Sequence, residues 1–467
     1  VKPDGIVRDQ SWISKGTNSE PEEPMPRPSV QGSDGEAPTR LERDPLGPIA
    51  VPQAALYGAQ TERGRGNFRV SGLTLADRPE LVAALGQVKA ASVRANQELG
   101  EVPGDLARVI LQAAREVAAN ELDEHFPLDV VQGGGGTATN MNANEVIANR
   151  AADLLGRPRG VYDVVNPNNH VNRSQSTNDV YPTALQLAVV VRSGQAVEGV
   201  RYLAETIRSA GEKVGGLLRI GRTCLRDALP VEIRAAGNGE ASALERCARD
   251  LEAASSELLA VPLGATAVGT GFGAPEGYKE LAVRYLAEES GLAVTPVEDP
   301  YDALSHLDKF ITVASHLVRS ALAMAKIAAD LRILSSGPLG GIDEVELPTV
   351  QVGSSIMPGK MNPVMPELVM QVSFEVRGTA AIVEAAAASG ELELNVMEPV
   401  VARHLLGALA DVGTVAHLFA DRCVSGLEWR EDVLAEHLSS SFADRVELAR
   451  RDGYAAAYEF SSDADGS

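Results

Sequence analysis

From residue 79 onward, apolar side chains return every three or four positions, with few prolines or glycines between them. That period is the signature of amphipathic α-helices. It predicts helices of ordinary length over residues 79–99, 106–122 and 144–155. Longer ones follow over 182–213, 240–259, 304–334, 366–388 and 399–427, and 276–298 reads as a short helix and linker. The segment 304–334 contains neither Pro nor Gly. It repeats Leu307, Phe310, Ile311, Ala314, Leu317, Val318, Ala321 and Met324 at helical spacing. One uninterrupted helix of that length would extend more than about 40 Å. It needs neighbours of similar length, so the pattern predicts an all-α chain built on a long helical bundle. Alanines at 188, 321, 323, 325, 328, 329 and 385–388 let helices approach closely on several sides. A bundle with small apolar residues all round is expected to be covered by further copies of itself.

The first residues break this pattern. Residues 1–38 mix Pro, Glu, Ser and Gly with little apolar surface and read as a flexible tail, with folded sequence beginning near Arg40. The expected division is a tail (1–38), a mainly helical N-terminal domain (39–165), a central long-helix domain (166–427) and a short or reduced C-terminal domain (428–467).

Composition narrows the function. Among 467 residues, 42 Lys and Arg stand against 64 Asp and Glu, a formal charge of -22. So acidic a chain is expected to bind neither nucleic acid nor an anionic membrane. An anionic ligand would need a local positive island of Lys or Arg, hydroxyls and helix N-termini. The three cysteines, Cys224, Cys247 and Cys423, have no paired spacing, so a reducing cytoplasm is expected and no disulfide framework. No run of eighteen apolar residues suggests a membrane span.

Four polar runs interrupt the helical pattern. Gly133–Gly136 leads into Thr137-Ala138-Thr139-Asn140. Its spacing is not that of a dinucleotide or P-loop motif, so no nucleotide cofactor is expected. Glycines before a helix still let backbone N–H groups meet an anion, with Thr137 and Asn140 as further donors; a flexible turn capped by Thr139 or Asn140 is the alternative. Residues 166–179 hold five Asn, His170, Arg173 and several hydroxyls before a long helix, which Asp179 or Asn178 could cap. His170 could be an anion ligand, a turn residue or a core imidazole. Residues 219–230 could be a turn between helices with Arg222 paired to Asp227. Residues 353–363, Gly-Ser-Ser-Ile-Met-Pro-Gly-Lys-Met-Asn-Pro, suit a mobile flap that carries hydroxyls, an ammonium and an amide. No spacing of His, Cys, Asp or Glu defines a metal site.

Together these runs resemble the aspartase/fumarase superfamily over roughly residues 44–426. Residues 353–363 resemble its signature loop, Gly136–Glu145 its first characteristic segment, and Ser174–Asp179 its second. The opening Asp44-Pro45-Leu46-Gly47 is also similar. Asn166-Pro167-Asn168-Asn169-His170 and the segment 390–399 are closer to aspartate ammonia-lyases, since fumarases place a His before the Pro. The resemblance implies a three-domain lyase, a homotetramer with a twenty-helix core and active sites shared among three subunits. It also implies anti-elimination from a C2-substituted succinate, without a cofactor. Ser354 would remove the proton next to a carboxylate. Lys360 and Asn362 would hold the resulting aci-carboxylate, with Glu367 orienting Lys360. Thr137, Asn140, His170, Thr177, Asn178, Thr223, Cys224, Ser355 and Met357 would line the substrate.

One departure bears on the leaving group. Cys224 stands where the family has His or Gln, and Arg234-Ala235-Ala236 replaces a segment with an amide and an acid. Ammonia from L-aspartate is the family default, and nitrite from nitrosuccinate is a rival that needs no ammonium-binding acid. A fumarase-type loss of water and a catalytically silent structural homologue are the remaining alternatives.

Overall fold

The computed structural model describes residues 38–439, 442–455 and 457–458. The tail expected over 1–38 lies, apart from Pro38, outside the described residues. The fold is predominantly helical, with a large helical core.

A short antiparallel hairpin opens the described chain, β1 (Thr39–Asp44) against β2 (Gly47–Pro52). Four helices follow: α1 (Ala59–Asn67), α2 (Pro79–Glu98), α3 (Gly104–Ala118) and α4 (Thr137–Leu154). Glu145 of α4 ties the chain entry to this layer. Its buried carboxylate accepts the backbone N–H groups of Gly58, Gln60 and Thr61 at 2.9, 2.9 and 3.1 Å, and the Thr61 hydroxyl at 2.6 Å.

Then comes α5 (Thr177–Lys213), 37 residues long. It starts five residues before the predicted helix, and its N-cap is Ser176 rather than Asn178 or Asp179. The Ser176 hydroxyl accepts the Asn178 N–H at 3.2 Å, and Asp179 reaches back to the Ser176 N–H at 3.0 Å. This reciprocal pair is a capping box.

Residues 219–230 form a β-hairpin, not a turn between helices. Strands β3 (Leu218–Thr223) and β4 (Arg226–Glu232) pair antiparallel through the two-residue turn Cys224-Leu225. Both turn residues have positive φ, 52° and 58°. That is the geometry whose twist suits a two-residue hairpin. The Arg222–Asp227 pair exists, at 3.4 Å, across the strands.

Beyond the hairpin lie α6 (Ile233–Ser256), α7 (Tyr278–Ser290), α8 (Pro300–Ser305), α9 (Asp308–Leu334), α10 (Val364–Ala387) and α11 (Glu398–Arg422). Helices α12 (Glu431–Ser439) and α13 (Ala443–Asp452) follow. The helix predicted over 304–334 is broken at His306-Leu307, where His306 is extended. The Leu304 carbonyl, which a continuous helix would offer to residue 308, accepts the Asn395 N–H at 2.9 Å instead. A tertiary hydrogen bond has displaced a helical one.

Helices α5, α6, α9, α10 and α11 form a closed ring, each packed on the next and α11 back on α5. Leu187, Val200, Leu203, Leu317, Met324, Val401, Leu405, Leu409 and Phe419 fill its interior. At the α5–α11 crossing a Cβ on Gly199 would lie 2.7 Å from the Gly413 carbonyl oxygen, so the close approach requires glycine. By length and composition α9 could cross a bilayer, yet it packs between α6 and α10 as a core helix. On the outside of the ring, Leu322 and Phe374 are 46% and 58% exposed.

Candidate active site

The predicted site residues fall into three groups on separate elements. The first lies at the N-termini of α4 and α5. Gly134, Gly135 and Gly136 all have φ in the left-handed region, at 84°, 59° and 84°. A Cβ on Gly136 would stand 2.3 Å from the Tyr181 ring, so this backbone can lie against α5 only as glycine. Helix α4 begins at Thr137, ahead of both predicted caps, and the Thr137 hydroxyl donates to the Gly134 carbonyl at 2.7 Å. Asn140 Nδ2 donates to Thr177 Oγ1 at 3.0 Å and to Asn172 Oδ1 at 3.2 Å. Asn178 Nδ2 donates to the Ala267 carbonyl at 2.7 Å. Asn140 and Thr177 thus form a polar wall at two helix N-termini, with Thr137 and Asn178 in the same first turns, where N–H dipoles favour an anion.

His170 sits in a turn beside this wall. Its Nδ1 accepts the Asn166 N–H at 3.0 Å inside a single π-turn, Pro167–Val171, and burial lowers its pKa. The ring is thus neutral, with its proton on Nε2.

Beneath the wall lies a residue that the sequence reading missed. Lys89 of α2 is fully buried, and its ammonium donates to Asn140 Oδ1 at 2.7 Å, Gln175 Oε1 at 2.8 Å and Asn172 Oδ1 at 2.9 Å. Burial drives its pKa down to about 7, against the pull of Asp179. Asp179 is itself fully buried and raised to about 6 by burial, although the N–H groups of Thr266, Ser176 and Gly264 hold its carboxylate. A signal was available in the sequence: Leu85, Lys89, Ser92 and Asn96 share one helical face, and all are buried.

The second group is the loop between α9 and α10. Ser354 is half-buried, and its Oγ accepts the backbone N–H of Met357 at 2.8 Å and of Ile356 at 3.3 Å. Donors aimed at a hydroxyl oxygen favour its anionic form. Asn362 Nδ2 donates to the Gly353 carbonyl at 2.6 Å, closing the loop on itself. Ser355, Met357 and Lys360 are exposed. Lys360 and Asn362 line a groove of about 550 Å³ with Ser335, Asp343, Leu347 and Arg430. Glu367 lies 3.7 Å from Arg332.

The third group, Thr223 and Cys224, sits at the exposed end of the β3–β4 hairpin. The hairpin is anchored by Arg222, which holds the fully buried Glu344 at 2.7 and 3.0 Å, while His437 Nδ1 lies 2.8 Å from the same carboxylate. Burial raises the Glu344 pKa, but these hydrogen bonds more than offset that, and it ends below the usual range. Ala236 lines a separate cavity of about 70 Å³ with Gly237, Glu240, Arg219 and Trp429. Among the described residues no hydrogen bond or ion pair joins Ser354, Lys360 or Asn362 to the α4–α5 wall or to the hairpin tip.

Known proteins share both the sequence and the fold of this chain. A family described as Lyase matches residues 47–378. Aspartate ammonia-lyase of Pseudomonas aeruginosa is 42% identical over 392 residues, covering 84% of this chain and 83% of that enzyme. A Brucella melitensis structure described as fumarate lyase:delta crystallin, bound to cobalt, superposes with a TM-score of 0.89 at 40% identity, over 92% of this chain and 93% of that one. A class II fumarase from Schistosoma mansoni superposes at 0.87 with 31% identity, over 90% and 91%. With the family matched over residues 47–378 and the fold shared over 90–92% of the chain, the chain belongs to the Lyase family, the aspartase/fumarase superfamily.

Proposed function

We propose that the chain is a carbon–nitrogen lyase that converts L-aspartate to fumarate and ammonia. The observation that carries this reading is 42% identity to an aspartate ammonia-lyase across 84% of the chain, with Ser354, Lys360 and Asn362 all present. Ser354 takes the proton from the carbon next to one carboxylate, and its alkoxide is held by the N–H groups of Met357 and Ile356. The electron pair moves into the carboxylate, giving a doubly charged aci-form held by the Lys360 ammonium and an Asn362 N–H. Collapse of that intermediate expels the amine from the adjacent carbon and leaves the double bond. Loop closure removes water, which strengthens each of these contacts. Thr137, Asn140, Thr177 and Asn178 hold the substrate at the two helix N-termini, with Thr223, Cys224, Ser355 and Met357 around it.

The three groups belong to one site assembled from different copies of the chain. A ring of five helices in each of four copies supplies the twenty of the superfamily core, and the exposed Leu322 and Phe374 are suited to burial between copies. The exposed Cys224-Leu225 tip is likewise shaped to reach a neighbour. A homotetramer acting in the cytoplasm on a small dicarboxylate follows from this reading.

Cys224 favours a second leaving group. A thiol in place of an imidazole or amide offers little to an ammonium but tolerates a nitro group, so nitrosuccinate is the alternative substrate. Both readings are tested by one assay of L-aspartate, nitrosuccinate and L-malate, following fumarate by ultraviolet absorbance and measuring ammonia and nitrite separately. Fumarate with ammonia from aspartate is expected. Fumarate from nitrosuccinate alone supports the alternative, and silence with all three rejects both.

A further inference from the structure

We infer that Lys89 is a positioning residue for substrate binding: its buried ammonium fixes the Asn140 side chain so that Thr177 points its hydroxyl hydrogen at a bound carboxylate. The inference deepens the proposed function, because it takes Thr177 to be a substrate-binding group.

An ammonium can only donate. The Asn140 atom 2.7 Å from Lys89 Nζ must therefore be the carbonyl oxygen, which leaves the amide nitrogen facing Thr177 Oγ1 at 3.0 Å. A threonine oxygen that accepts from inside the protein has its own hydrogen left for the open side. Thr177 is the first residue of α5 and half-buried, so that hydrogen adds to the positive end of the helix. The same ammonium fixes the other two amides. With the Asn172 oxygen on Lys89, its nitrogen donates to the Gln175 carbonyl at 3.1 Å. With the Gln175 oxygen on Lys89, its nitrogen donates to the Val171 carbonyl at 2.9 Å.

Among the described residues no carboxylate hydrogen-bonds Lys89 directly; Asp179, the acid whose field reaches it, is occupied by three backbone N–H groups. A buried charge without a bonded counter-ion is costly where packing is the only purpose. Here its three hydrogen bonds orient three amide side chains, one of which reaches Thr177.

The test measures affinity for succinate, an unreactive dicarboxylate, by calorimetry on the intact protein. Thr177→Val and Lys89→Met are each expected to weaken binding about tenfold, the loss of one hydrogen bond to a charged group. The double variant should be no weaker than either single one, because both act through one hydroxyl. Losses that multiply to about a hundredfold overturn the role of Lys89 and leave the site assignment standing. An unchanged affinity in Thr177→Val overturns the site assignment, and the Lys89 role with it. Should Lys89→Met fail to fold, Asn140→Asp keeps the ammonium paired but draws the Thr177 hydrogen inward. It is expected to lose about tenfold in affinity at an undiminished Tm, and wild-type affinity in that variant overturns the proposal.

Discussion

Replacing Ser354 with Ala separates chemistry from binding and from stability. The hydroxyl is half-buried on a loop, and its hydrogen-bond partners are the backbone N–H groups of Ile356 and Met357. Those two donors lie in an exposed segment and turn to water in the variant. Stability should therefore change by no more than about 0.5 kcal/mol, within the range of surface substitutions. Turnover should respond very differently. Loss of a positioned base costs roughly 10²–10⁴-fold, and the 2.8 Å donor from Met357, which would hold the alkoxide, is then left without its anion. We expect kcat to fall at least about 10³-fold, or roughly 4 kcal/mol of barrier. Succinate affinity should stay within about twofold, since the carboxylates rest on other groups. Ser355→Ala is the paired control, expected to raise KM and spare kcat. Fumarate absorbance and ammonia release measure turnover, and calorimetry measures succinate binding. A variant that keeps a tenth or more of wild-type turnover, or that loses succinate binding, removes Ser354 from the role of base.

Arg222→Met leaves the fully buried Glu344 carboxylate, among the described residues, with His437 as its side-chain partner, and should cost about 3–5 kcal/mol, read as a lower Tm. Because the folded Glu344 pKa lies below its unfolded value, the stability this clamp gives is present above the unfolded carboxylate range and is lost as pH falls through the folded pKa; thermal melts of wild type and variant should converge in acid. Gly136→Ala places a methyl group 2.3 Å from the Tyr181 ring at a φ of 84°, so strain and overpacking together should cost about 2–4 kcal/mol and displace Thr137, seen as lower Tm and higher KM. Glu398 is buried and pushed up to about 8 by desolvation. Between the ordinary carboxylate pKa and that value the folded state holds a proton the unfolded state has lost, so stability declines by about 1.4 kcal/mol per pH unit. Glu398→Gln should flatten that decline in melts from pH 5 to 8.

The helical content was legible because burial imposes a 3.6-residue period on long helices, and α2, α5 and α11 follow it closely. What the period could not reveal were places where tertiary contacts overrule local preference. The 304–334 helix breaks because Asn395, some ninety residues downstream, takes the Leu304 carbonyl. The β3–β4 hairpin was hidden because its turn is Cys224-Leu225, without the Asn-Gly or Asp-Gly that usually announces such geometry. Helix α6 begins at Ile233, seven residues before its predicted start, since Gly237 and Gly239 interrupt the apolar pattern. Each polar run identified in the sequence lies on an element that carries predicted site residues. Their grouping was not legible: Asn140 and Thr177 meet through a hydrogen bond, Ser354 turns onto its own loop, and Glu367 sits beside Arg332.

The charge distribution links fold to function. Three buried acidic groups of α4, α5 and α11 are already engaged: Asp179 by three backbone N–H groups, Glu145 by four donors, and Glu398 by a proton it retains near neutrality. The wall therefore presents amide, hydroxyl and helix-end dipoles to solvent while the carboxylates behind it are neutral or satisfied. Lys89 adds the one buried ammonium there. A doubly anionic acid arriving at this surface meets donors rather than the average field of the chain. The surplus of 22 negative charges thus belongs to the chain as a whole rather than to this surface. It does not oppose the site, because the groups that would carry it inward were bonded or protonated when the helices packed.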